Sequence, residues 1–166
     1  MQESGLPQAA WSITMSLADD EHFMAQAIAE ARLAAAAGDI PVGAVAVAAG
    51  QVVAKGHNLR ELLQDPTAHA EIIALRQAAS ELGTWRLSGL TLYCTMEPCP
   101  MCAGAMVQAR LGRLVYAVDD PKAGAAGSIL DLLRSPWLNH QVLVTRGILA
   151  QCAQAQLSEY FARLRS

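Results

Sequence analysis

Two short segments carry residue types that can do chemistry: Asp65-Pro66-Thr67-Ala68-His69-Ala70-Glu71 and Glu97-Pro98-Cys99-Pro100-Met101-Cys102. Each is read as standing where a loop enters a helix. Cys99 and Cys102 are three apart, so one helical turn puts both sulfurs on the same side. The free N–H groups and the macrodipole of a helix start favour thiolates there. His69 supplies a neutral imidazole, and one nitrogen with two sulfurs suits zinc. Three protein ligands leave the fourth tetrahedral position for water, the pattern of a catalytic zinc rather than a structural one. Two thiolates offset the formal charge of the metal, so a base beside that water would help. Glu71 follows His69 by two residues. That spacing prevents a shared face in mid-helix but lets both converge on a metal lying off the helix mouth. There Glu71 can take a proton from the water and return it to a substrate.

Either segment alone reads more blandly. An isolated Cys-x-x-Cys is most often structural or redox-active, and a lone His before a helix is usually a cap or a core residue. Together, each at a loop-to-helix junction, the two segments point to catalytic zinc. Cys94 and Cys152 are the rivals for a fourth ligand; the first alternates within a strand and the second lies in the last helix. Both read as small buried hydrophobes.

The elements that must position these residues follow from periodicity and punctuation. Apolar residues recur at helical spacing from Asp19 to Ala37, with acidic residues at the start and Gly38 at the end. Val42–Ala48 and Val52–His57 read as strands joined at Ala49-Gly50, a hairpin. A polar loop spans Leu59–Pro66, then a helix runs from Ala68 to Leu82 and stops at Gly83. Strand Leu90–Thr95, helix Cys99–Leu111, strand Leu114–Val118, a Gly/Ala loop over Asp119–Gly127, a short helix Ser128–Leu133, strand Val142–Thr145 and helix Leu149–Leu164 complete the order. Strands joined by helices should run parallel with right-handed crossovers. The expected fold is α/β: three layers, α/β/α, around one five-stranded mixed sheet. Residues 1–18 read as a flexible extension and 19–166 as a single domain.

Composition agrees. A chain of 166 residues with 53% hydrophobic and 16% charged residues can bury a core without disulfides, and it is not intrinsically disordered. No apolar run approaches the roughly 18 residues of a transmembrane helix. Met1–Ser16 has no basic residue ahead of its apolar part, so no export signal is read there and a cytoplasmic location is expected. In that setting four Cys suggest reduced thiols serving metal or catalysis. The net charge of −3 argues against a generic nucleic-acid coat, though the sign turns positive toward the C-terminus.

His-x-Glu followed by Pro-Cys-x-x-Cys is the signature of zinc-dependent nucleobase deaminases. Over about residues 19–165 the sequence resembles the bacterial tRNA-specific adenosine deaminase family, within the cytidine/deoxycytidylate deaminase superfamily. The resemblance is carried by Pro41-Val42-Gly43-Ala44-Val45, Asn58, Asp65 to Glu71, Glu97 to Met106, and Lys122-Ala123-Gly124-Ala125-Ala126-Gly127-Ser128. It implies a cytidine deaminase-like fold and hydrolysis of the wobble adenosine of an arginine tRNA anticodon to inosine. It further implies one zinc per subunit held by His69, Cys99 and Cys102, with Glu71 moving protons between water, the ring nitrogen N1 and the leaving amine. The backbone N–H of Ala70 would meet the oxygen arriving at C6. Asn58 would bind the purine, through N7, and Ile40, Pro41 and Val42 would wall the pocket. Asp120 and Lys122 would contact RNA, the first through a ribose 2′-OH and the second, with Arg163 and Arg165, through phosphate. Tyr160 and Phe161 fall on different faces of the last helix, one in the core and one free to stack on a base.

The resemblance also implies a homodimer, to which small residues Ala103, Gly104 and Ala105 would lend close helix contact. It breaks at His57 and Asp119, where the best-known member has Trp and Arg, and in the missing basic tail. A guanine or cytosine free-base deaminase shares the zinc motifs and is the alternative. A structural zinc module that binds RNA would have no need of Glu71, and a thiol-redox role would leave His69 and Glu71 idle.

Overall fold

The structure is a computed structural model and describes residues 15–166. Most of the expected N-terminal extension, including Trp11, therefore lies outside the described residues. The first helix, α1, covers Leu17–Ala36 and starts two residues before its expected position. Ser16 is the reason: its hydroxyl accepts from the Asp19 N–H at 3.1 Å while its own N–H donates to Asp19 Oδ2 at 3.3 Å, a reciprocal cap.

β1 (Gly43–Ala48) and β2 (Gln51–His57) form the expected hairpin. Ala48 pairs with Gln51, leaving a two-residue turn of Ala49 and Gly50, both at positive φ. A bulge between Ala46 and Val47 bends the pair. Then come α2 (Arg60–Leu63), α3 (Ala70–Leu82), β3 (Leu90–Met96), α4 (Pro100–Gln108), β4 (Arg113–Val118), β5 (Leu143–Arg146) and α5 (Ala150–Arg165). The five strands stand in the order β2-β1-β3-β4-β5. β1 is antiparallel to both its neighbours, so β2 and β3 run the same way and α3 crosses over β1 between them. β3, β4 and β5 are parallel.

Strand alternation divides the core into two layers. Ala44, Ala46, Leu92, Cys94, Leu114 and Tyr116 face α3 and α4. Val45, Val47, Tyr93, Val115 and Ala117 face α1 and α5. The sheet thus lies between two helical layers, as expected. Gly43 is where α1 comes closest: a Cβ there would land on the Ala27 carbonyl oxygen. A buried polar cluster ties α1 to the sheet. Asp20 accepts from Arg113 at 2.8 and 2.7 Å and from the Tyr93 hydroxyl at 2.8 Å, and Arg113 also donates to Thr145.

Three expectations fail. The segment read as the helix Ser128–Leu133 is a run of turns, with an isolated bridge between Ala126 and Asp131. Its backbone donors are spent elsewhere: Ser128 N–H bonds the buried Glu97 carboxylate, and Leu132 N–H bonds the Ala125 carbonyl. The short helix α2, in turn, forms inside the stretch read as a polar loop. Cys152 is exposed rather than buried, whereas Cys94 is fully buried as expected. No helix among the described residues is long and apolar enough to cross a membrane.

Candidate active site

The two parallel strands β2 and β3 end on the same edge of the sheet, and the helices that follow them begin there. In open α/β sheets this edge is where ligands bind. His69 is the N-cap of α3 and Cys99 the N-cap of α4; both have extended backbones, and neither side chain caps its own helix. Pro100 at the first position of α4 has no N–H to leave unsatisfied. The side chains freed from capping turn toward each other. His69 Nδ1 lies 3.6 Å from Cys99 Sγ and 3.5 Å from Cys102 Sγ. The three ligand atoms lie within 4.8 Å of one another, a group that could hold a metal ion.

Glu71, in the first turn of α3, is 3% exposed, and the Cys102 thiol donates to its Oε2 at 3.4 Å. Burial pushes its carboxyl up from the usual range. Cys99 is pulled down to about 4, chiefly by its interaction with the Cys102 side chain, and also by His69. Cys102 moves up, first because it donates to Cys99 and then through burial. His69 moves up because it bonds the Cys99 thiolate. Metal binding displaces protons from such a set, since ligands bind deprotonated.

His69, Cys99 and Glu71 line a cleft of about 820 Å³, and Cys102 is fully buried beside them. Ile40, Val42, Asn58, Asp120 and Lys122 line it; Pro41 is buried and does not. Asn58 is 6% exposed, and its Oδ1 accepts from the Ala70 N–H at 2.9 Å. The structure therefore gives the Ala70 N–H a partner other than an incoming oxygen. Asp120 Oδ1 accepts from the N–H groups of Lys122 and Ala123 at 2.9 and 3.2 Å, so this carboxylate also shapes its own turn. Arg165 lines the cleft, whereas Arg163 pairs with Glu159 at 2.6 Å and lies elsewhere. Phe161 lines the cleft and Tyr160 packs against it edge-on.

Two contributors, Arg60 and Asp39, escaped the sequence reading, and a third, Glu97, stood in a quoted motif without a role. Arg60 and Glu97 line the cleft. Asp39, 2% exposed, accepts from the N–H groups of Ile40 and Glu61 at 2.8 and 3.0 Å and so ties the cleft wall to α2. Gly38-Asp39 ahead of the pocket strand was the available signal.

A family model described as MafB19-like deaminase matches residues 18–159. A tRNA-specific adenosine deaminase of Bacillus subtilis is 46% identical over 149 residues, covering 90% of this chain and 92% of that protein. The chain belongs to the tRNA-specific adenosine deaminase family. A solved structure from studies of A-to-I editing by tRNA:A34 deaminases matches the deaminase with a TM-score of 0.79 and 43% identity, over 82% of this chain and 99% of that one. The five-stranded mixed sheet of the deaminase and its flanking helices are the cytidine deaminase-like fold of that structure. A guanine deaminase from Nitrosomonas europaea is more distant in sequence, at 26% identity with a TM-score of 0.76 over 95% of this chain and all of that one.

Proposed function

We propose that the deaminase converts adenosine 34, at the wobble position of an arginine tRNA anticodon, to inosine with release of ammonia. The proposal includes one zinc held by His69, Cys99 and Cys102 in a single domain over residues 19–166, working in the cytoplasm. The observation that carries it is the convergence of those three ligand atoms beside the buried Glu71, in a chain of this family. Zinc is supported by distance. A tetrahedral ion with Zn–N near 2.0–2.1 Å and Zn–S near 2.3 Å requires an N···S separation of about 3.6 Å; the structure holds 3.5 and 3.6 Å.

A zinc held by these three residues would supply Lewis acidity toward a water, whose proton a neighbouring base would take. Glu71 is that base. Buried against the ligand trio, its carboxylate is placed to accept a proton from water, pass it to N1, and deliver another to the departing amine. The C6–O bond forms and the C6–N bond breaks, so water is consumed and ammonia leaves. Asn58, its oxygen held by Ala70, presents a donor, which matches the acceptor N7. Ile40 and Val42 supply a flat apolar wall for the purine. An anticodon loop is single-stranded, so its base can be splayed into the cleft at a cost of a few kcal/mol. Lys122, Arg60 and Arg165 stand at the cleft to meet phosphate, and Asp120 to meet a ribose hydroxyl.

The deciding assay offers an arginine anticodon stem-loop, guanine and cytosine side by side. Inosine from the stem-loop with no turnover of the free bases is expected. Turnover of guanine alone would move the protein to the chemistry of its more distant structural neighbour. Cys99→Ala is expected to lower bound zinc from one per chain to a trace after dialysis, by metal analysis; a retained equivalent would overturn the ligand set.

A homodimer is part of the proposal. Ala103 is fully buried within the chain and unavailable for contact, but a Cβ on Gly104 of α4 would meet only open space. A second copy can approach closely there.

A further inference from the structure

Glu97 is 2% exposed, and the chemistry above makes no use of it. Among the described residues no cation pairs with it. Instead, the backbone of one loop converges on its carboxylate: Oε2 accepts from the Asp120 N–H at 2.8 Å, and Oε1 from the Ser128 and Ala126 N–H groups at 3.0 and 3.3 Å. The loop closes around the carboxylate at Gly124, where a Cβ would fall on Glu97 Oε2. The main chain on either side of the glutamate is stitched to the same stretch. Glu97 N–H donates to the Val118 carbonyl, and Ala125 N–H donates to the Pro98 carbonyl, both at 2.9 Å.

We infer that Glu97 is the positioning residue of the loop 119–128, a buried anionic post that fixes where Asp120 and Lys122 stand over the cleft. The chemistry of the group is what this task needs. A carboxylate offers two oxygens with room for several donors and carries no donor of its own. A glutamine in its place would keep one acceptor and turn an NH₂ toward N–H groups that need an acceptor. Glu97 lies two residues before Cys99, on the strand-to-helix turn that delivers that sulfur. The cleft edge and the metal ligand are therefore held by one short piece of chain, so the substrate-facing loop keeps register with the reacting centre. The fit also explains why the loop is wound as turns and not as a helix, since its donors point inward to the post.

The inference goes beyond the proposed activity and rests on it only for the RNA readout. The test uses the zinc-loaded chain, Glu97→Gln, Gly124→Ala and the double variant, in two measurements. Amide hydrogen exchange reads the loop directly. The N–H groups of Asp120, Ala126 and Ser128 should be protected in the parent chain and should exchange about 10-fold faster or more in Glu97→Gln. Kinetics on the anticodon stem-loop should show KM raised about 10-fold with kcat changed by less than about 3-fold, because an interaction with the substrate and not the chemistry is lost. Zinc should remain at one per chain. Gly124→Ala should reproduce both effects with Glu97 intact, and the double variant should add little to either single one, since both remove the same contact.

Unchanged exchange at the three amides overturns the inference. So does a fall in kcat at constant KM, or loss of zinc. Failure of both single variants to accumulate as folded chains would assign Glu97 to the fold rather than to the loop, and would overturn it as well. If the parent chain leaves the stem-loop untouched, the proposed activity fails, and the exchange arm still decides the role of Glu97.

Discussion

Glu71→Gln is expected to lower turnover by about 10³-fold or more while leaving zinc at one per chain. A positioned acid–base group contributes about 10²–10⁴-fold, and this carboxylate serves several proton transfers in succession. The substitution is close to isosteric, and none of the metal ligands changes. It also removes an ionisable group that is 3% exposed and whose burial already disfavours its charge. The folded chain should consequently be no less stable than the parent by thermal unfolding. Loss of turnover with unchanged or raised melting temperature separates a chemical role from a structural one. Retained turnover would remove Glu71 from the mechanism.

Asp20→Ala should produce the largest loss of stability among single substitutions remote from the cleft. The Asp20 and Arg113 side chains are 5% and 11% exposed, and their carboxylate and guanidinium meet at two oxygens. Removing one partner of a buried pair strands the other charge, at a cost of about 3–5 kcal/mol. For a chain of this length each kcal/mol moves the melting temperature by about 2–4 °C, so a fall of about 6–20 °C is expected in a thermal scan. The double variant Asp20→Ala, Arg113→Met should lose much less than the sum of its two singles, because no uncompensated charge is left. A shift of a degree or two in the Asp20→Ala scan would show that Arg113 finds water or another acceptor.

The legible parts of the molecule were those whose signals are local. His69 and Cys99 sit at N-cap positions, marked by Pro100 and by the change from loop to helical spacing, and Cys102 follows within the first turn of α4, so the trio and its base were readable from types and intervals. The mixed character of the sheet followed from the hairpin at Ala49-Gly50 and from crossover logic. What was illegible depends on partners distant in sequence. Glu97 bonds amides 23 to 31 residues away, and backbone N–H groups carry no residue-type signature. The same long-range bonds withdrew the donors that the Ser128–Leu133 segment would have needed for a helix. Asp20 was readable as a carboxylate suited to a helix start, but its true partner is 93 residues further on. Ala70 shows a finer limit: the resemblance offered its N–H to substrate, and only the structure reveals that Asn58 already occupies it.

One wall of the cleft is the C-terminal helix, which contributes Gln154, Leu157, Ser158, Phe161 and Arg165 to the lining. Of its 16 residues only Ala153 and Leu157 are buried. Opposite it stand residues anchored in the sheet and in helices that can share a metal. Cooperative units with few buried contacts open at lower free energy than the core they rest on. The mouth is therefore bounded by one firm side and one that can breathe.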